Sequence, residues 1–272
     1  MQRAAHPPAR SVAPVRIGPA AADGCDDQAA TLRRLFARRP ARVLPLLVPE
    51  GGASSRAGWV AKLAQGFVGH GERTLVIDAA RLHVAAALGL RARFDLAHVF
   101  AGECAAAAAV LDAGRGLTVL PAARALAEGR GVASLWAQIG RLNLSQVDLV
   151  LLVLPLNLAH EMPGDALVPV LPDAPELAGV VAGLRRALDT RDRRHGGSTA
   201  QHPSTGRFRL LFLGMAEPAA TTLAQGLIRK LAMTQDSMVQ SAGSARVARD
   251  LVQVVRAASG WTLATLPQRP LE

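Results

Sequence analysis

Short, nearly uninterrupted apolar segments recur along this chain at intervals wide enough for a helix, and that alternation restricts the fold more than any other feature. Arg42-Val43-Leu44-Pro45-Leu46-Leu47-Val48 has the composition of a strand buried on both faces of a parallel sheet, although Pro45 is unfavourable in a central strand because it cannot donate to the ladder. From 58 to 68 the apolar residues return at helical spacing, and Thr74-Leu75-Val76-Ile77 then gives a second strand ending in Asp78. Two such strands with a helix between them make a βαβ unit. Leu117-Thr118-Val119-Leu120, 149–154 and 208–213 supply further strands, with helical patterns at 134–142, 175–188 and 219–232. The expected class is α/β: a mostly parallel sheet with helices on both faces. The run from His195 to Pro203 is polar and glycine-containing, and reads as a loop. In 245–258, Val247, Leu251, Val254 and Ala258 share one helical face beside Arg246, Arg249 and Arg256. Such a helix could dock on a membrane, but 261–266 reads as a final strand and favours packing against the sheet.

Composition narrows the functional classes. Half of the 272 residues are apolar, yet no run approaches the ~20 residues that a membrane-spanning helix needs. Residues 1–25 carry Arg3, Arg10 and Arg16 among Pro and Ala without the continuous apolar stretch of a secretory signal, and are expected to form a disordered tail. Basic residues outnumber acidic ones 31 to 21, but almost all are Arg, with Lys62 and Lys230 the only lysines. Aromatic stacking platforms are scarce: Trp59, Trp136, Trp261, six Phe and no Tyr, so a nucleic-acid partner is not expected. Cys25 and Cys104 are too few for a disulfide framework or a zinc site and fit a reducing, cytoplasmic compartment. His70, His83, His98, His160, His195 and His202 show no metal-ligand spacing, and Glu103 beside Cys104 has no evident base or nucleophile partner. Neither a metal site nor a catalytic residue is expected.

Ahead of the body, Asp27-Gln28-Ala29-Ala30-Thr31-Leu32-Arg33 opens a candidate helix over 26–40. Asp26 or Asp27 can cap it, and Leu32, Leu35 and Phe36 recur at helical spacing until Pro40. The run D-Q-A-x-x-L-R resembles the N-terminal activator motif of the FlhG (FleN) family, MinD/ParA-type regulators of flagellar number that stimulate the GTPase FlhF. Further segments are similar to that family. Leu75-Val76-Ile77-Asp78-Ala79 matches the strand before the first switch region. Leu88-Gly89-Leu90, then Asp95 to Glu103, match its G-L pair and the helix that follows. Gly116 to Ala122 matches its strand and L-P-A turn. The likeness covers 27 to about 154. It implies a MinD-like P-loop NTPase fold over 41–272 and a bacterial regulator at the cytoplasm, inner membrane or cell pole. It also implies partner contacts through Asp27, Gln28, Leu32, Arg33, Leu35 and Phe36 to an FlhF-like GTPase, with flagellar basal-body components and a peripheral membrane surface as further partners.

Against that family the nucleotide site reads as degraded. A P-loop surrounds phosphates with backbone N–H groups, a lysine neutralises the β and γ charges, and a Ser/Thr hydroxyl holds magnesium. Here the loop is Glu50-Gly51-Gly52-Ala53-Ser54-Ser55-Arg56. Gly51 and Gly52 match, Glu50 replaces the signature lysine, and the P-loop lysine falls on Ser55, or on Arg56 with one insertion. The family's D-A-D is Asp78-Ala79-Ala80, and Val153 and Pro155 replace its Walker-B aspartate and following glycine. Gly51, Gly52, Ser54, Ser55, Arg56 and Asp78 are thus the expected remains of the site. Neither ATP with magnesium nor another cofactor is expected to be used. An active but divergent MinD-like ATPase, and a non-flagellar polar adaptor on the same scaffold, are the alternatives.

Overall fold

Alternation along Arg42–Val48 puts Val43 and Leu47 on one face of a strand and Leu44, Leu46 and Val48 on the other, and all five are buried, so this segment becomes a central strand, β1. The structure, a computed structural model, describes residues 40–49, 53–142, 144, 146–162, 164–195, 206–231, 239–246, 250–253 and 264–265. The expected tail over 1–25 and the expected helix over 26–40, apart from Pro40, lie outside the described residues.

After β1 come α1 (Ala53–Gly69) and β2 (Thr74–Asp78). Three short helices follow, α2 (Val84–Ala87), α3 (Leu96–Phe100) and α4 (Ala106–Ala109), then β3 (Leu111–Asp112) and β4 (Leu117–Pro121). A single turn, α5 (Ala123–Ala125), continues through a π-helical turn (Leu126–Arg130) into α6 (Gly131–Ile139). The second half runs β5 (Leu149–Pro155), a 3-10 helix (Leu156–Glu161), β6 (Ala166–Val170), α7 (Ala174–His195), β7 (Phe208–Leu213), α8 (Glu217–Leu231), β8 (Val239–Ala245) and β9 (Ala264–Thr265).

The strand order is β3-β4-β2-β5-β1-β6-β7-β8. All neighbours on this path are parallel except β3, which pairs antiparallel with β4, while β9 pairs antiparallel with the start of β1. One face of the sheet buries Leu75, Ile77, Val150 and Leu152 under Leu96, Leu135, Val180, Leu184 and Leu227, from α3, α6, α7 and α8. The opposite face buries Val76, Leu151 and Val153 under Val60, Leu63 and Phe67 of α1 and under Leu251.

Pro45 lies in a central strand despite its missing donor, and the hydrogen-bond directions explain how. The Arg42 N–H donates to the Asp148 carbonyl beside β5 at 3.1 Å, so by alternation the N–H groups of even-numbered residues in β1 face β5 and the position of Pro45 faces β6. On β6, the Ala166 N–H donates towards β7, to the Arg207 carbonyl at 2.9 Å, so the position of Pro169 faces β1. Both prolines therefore meet at one seam. Its registered pairing is the single couple Leu46↔Leu167, whereas β1 pairs with β5 from Arg42↔Leu149 through Val48↔Pro155.

Several boundaries differ from the sequence pattern. His195 ends α7 instead of opening the polar loop, and the rest of that loop lies outside the described residues. Ala245 closes β8 instead of starting a helix; within the expected 245–258 helix, the described residues 250–253 are helical. The helix expected at 134–142 begins at Gly131 and ends at Ile139. The expected last strand is present at Ala264–Thr265.

Candidate functional site

In a parallel sheet of this kind the carboxyl ends of the central strands form the binding edge. That edge is made here by the ends of β1, β5 and β2, with the first turn of α1 above it. Glu50, Gly51 and Gly52 lie outside the described residues, as do the side chains of Ser54 and Ser55.

Arg56 occupies the first turn of α1 and is 2% exposed. Its guanidinium donates to the carbonyl of Pro49 at 2.8 Å and forms a buried ion pair with the Glu176 carboxylate at the start of α7. The backbone N–H of Glu176 is itself held by the Asp173 carboxylate at 2.7 Å, which fixes the first turn of that helix. Burial pushes the Arg56 pKa down, and the charge of Asp173 opposes the shift. Glu176 was not among the residues the sequence singled out. It lies 120 positions from Arg56, and no spacing joins the two.

Asp78 ends β2 with a buried carboxylate that accepts from the Leu82 N–H at 3.1 Å and the Val84 N–H at 3.0 Å. Those bonds hold a turn in which Arg81 (φ 57°) and His83 (φ 61°) adopt the left-handed conformation. Ala80 follows, packed against the apolar cluster on the α1 face. Across the β2/β5 boundary Asp78 is in register with Val153, which has no solvent exposure. Asp148 lies at the other end of β5. Its carboxylate takes bonds from the Arg73 N–H at 2.9 Å and from the Arg73 guanidinium at 2.8 and 3.0 Å, and this partner holds its pKa below the ordinary carboxylate value. Lys62 projects from α1 over the Trp59 ring, 5.6 Å from the centroid.

The structure thus brings Arg56 and Asp78 to one edge of the sheet, each with its charged group engaged by neighbouring protein. Among the described residues no group of three or more His, Cys, Asp or Glu could hold a metal ion. The partner-contact candidates Asp27, Gln28, Leu32, Arg33, Leu35 and Phe36 lie outside the described residues.

No family model matches the chain, and no curated protein matches it. Solved structures do. The cell division protein MinD of Aquifex aeolicus is 15% identical over 85% of this chain and 100% of its own, with a TM-score of 0.54. The ATP complex of a Cyanothece McdA variant is 14% identical over 79% of this chain and 88% of its own, with a TM-score of 0.51. The Mg-ADP complex of the septum site-determining protein MinD of Pyrococcus horikoshii is 12% identical over 81% and 98%, also with a TM-score of 0.51. At these identities the likeness is one of architecture, and the strand order and the helix-covered sheet described above agree with it: the chain has the MinD-like fold of the P-loop NTPases.

Proposed function

We propose that this chain is a MinD-type regulator that works without hydrolysing ATP, and that it acts on an FlhF-like GTPase through Asp27, Gln28, Leu32, Arg33, Leu35 and Phe36 to set flagellar number or placement. The observation that carries the first half is the fate of the one cation described near the start of α1. Arg56 is buried and tied to Glu176 and the Pro49 carbonyl, while Val153, at the position of the magnesium-associated aspartate, is sealed in the apolar core. These side chains do not fit a magnesium nucleotide. Phosphoryl transfer depends on positioned cations and on carboxylates that hold the metal, and neither Arg56 nor Val153 supplies that chemistry.

The second half rests on the D-Q-A-x-x-L-R run. Gln28 and Arg33 can make directional polar contacts, while Leu32, Leu35 and Phe36 can fill a groove on the GTPase, in the way an amphipathic helix is recognised. No described helix is long and apolar enough to cross a membrane. The location in this reading comes from the resemblance of the D-Q-A-x-x-L-R run: the cytoplasm, with contact to the inner membrane, cell pole or basal body made at a surface.

The test measures GTP turnover by the FlhF-like GTPase of the same cell, with the full chain added. Wild-type protein should stimulate it, Gln28→Ala/Leu32→Ala should abolish most of the stimulation, and Ser55→Ala should retain it. Loss of stimulation with Ser55→Ala but not with the double substitution sinks the reading. Magnesium-dependent ATP turnover by the purified chain would instead support the active ATPase, a reading that draws on the likeness to the ATP and Mg-ADP complexes.

A further inference from the structure

Helices α7 and α8 leave an open groove of about 740 Å³ on the outer surface of the sheet's second half. Its floor is apolar. Leu177, Val181 and Leu223 are half-buried and Leu227 is buried, so these side chains already sit on the core while their upper surfaces face the groove. Its rim is basic. Arg186 projects from α7 and Lys230 from α8, both exposed, and the described lining residues include no carboxylate. Arg185 links the two helices at this end by donating to the Lys230 carbonyl at 2.9 Å.

From this arrangement we propose that the α7/α8 groove is a docking site for an acidic amphipathic helix of a partner protein, separate from the 26–40 segment. Leucine-like side chains spaced at i, i+3/i+4 and i+7 would seat on Val181, Leu223 and Leu227, and flanking Glu or Asp residues would face Arg186 on one wall and Lys230 on the other. The charges select among the occupants. The sequence of 26–39 has Asp26 and Asp27 but also Arg33, Arg34, Arg38 and Arg39, so it lacks the acidic excess that this rim selects. A second copy meeting this one groove to groove would bring a second set of the same cations. A lipid surface is best met by apolar side chains that protrude, whereas these are half-buried or buried between two helices.

The test uses the full chain and three probes. These are a synthetic helix of about 14 residues with leucine on one face and glutamate on the flanks, the same helix with lysine for glutamate, and vesicles of phosphatidylglycerol and phosphatidylcholine. The acidic helix should bind the wild type. Arg186→Glu/Lys230→Glu should weaken it by about ten-fold or more, as should Leu223→Asp, and the lysine helix should bind only the charge-reversed variant. Circular dichroism of each variant establishes that it is folded. Absent binding of the acidic helix, or binding insensitive to all three substitutions, overturns the proposal. So does vesicle binding that the charge reversal removes in the absence of peptide binding, which would reassign the surface to the membrane, or self-association that these substitutions abolish.

Discussion

A buried charge is stable only beside a counter-charge, and Arg56 with Glu176 meets that condition at side-chain exposures of 2% and 6%. Removing Glu176 takes away the carboxylate paired with the buried Arg56 guanidinium, which keeps the Pro49 carbonyl and the charge of Asp173. Glu176→Ala should therefore lower unfolding stability by about 3 kcal/mol or more in urea titrations, whereas the apolar double replacement Arg56→Met/Glu176→Leu should lose clearly less. Equal losses would show that the pair is not coupled. Asp148 gives a pH-dependent counterpart. Its pKa is depressed in the folded state by the hydrogen bonds from Arg73, so its contribution is present above the unfolded carboxylate value of about 4 and is lost as pH falls through the folded value. Asp148→Asn should reduce stability slightly at neutral pH and flatten the acid limb of the unfolding curve; an unchanged limb contradicts this. The side chain is 40% exposed, so solvent screening keeps the effect small. At this scale the sequence was partly readable. The burial of Val153 follows from the unbroken apolar run around it, but the partner of Arg56 depends on how α7 crosses the end of β1, which no local pattern encodes.

Strands and helices were legible where periodicity was strong. β1, β2, β4, β5 and β7 are apolar runs, and α1, α7 and α8 show helical spacing. β6 was missed because Pro169 interrupts a five-residue segment, and β8 because Val-Gln-Ser-Ala-Gly-Ser-Ala has almost no hydrophobic contrast; β3 has two residues. These strands exist because neighbours supply the ladder, an effect of tertiary pairing on weak local preference. The β1/β6 seam also has a measurable signature. With Pro45 and Pro169 both facing it, the amides of Leu47 and Leu167 sit in an isolated pairing. In native-state hydrogen exchange they should exchange faster than those of Leu44 and Leu46, which face β5 in a continuous ladder. Equal protection would mean that the seam is as firm as the rest of the sheet.

For the whole molecule, each face of the sheet carries its own apolar cluster, built from the chain's own side chains. A ligand that binds only the native state raises the unfolding midpoint by mass action. If, as proposed, Arg56 is held by Glu176 and Val153 offers no metal ligand, thermal unfolding with and without MgATP should give the same midpoint, and a rise that grows with MgATP concentration would return the carboxyl edge of the sheet to nucleotide binding. The rims of the sheet carry a different consequence. Among the described residues one ends in the two residues of β3, and the other in β8, whose register to β7 slips between Leu210 and Leu211 where Gly243 takes φ +96°. A short rim and a bulged one each deny an incoming strand the long flat row of amides it would need for edge-to-edge growth. Copies of the chain at high concentration could thus crowd against one another without their sheets fusing into aggregates.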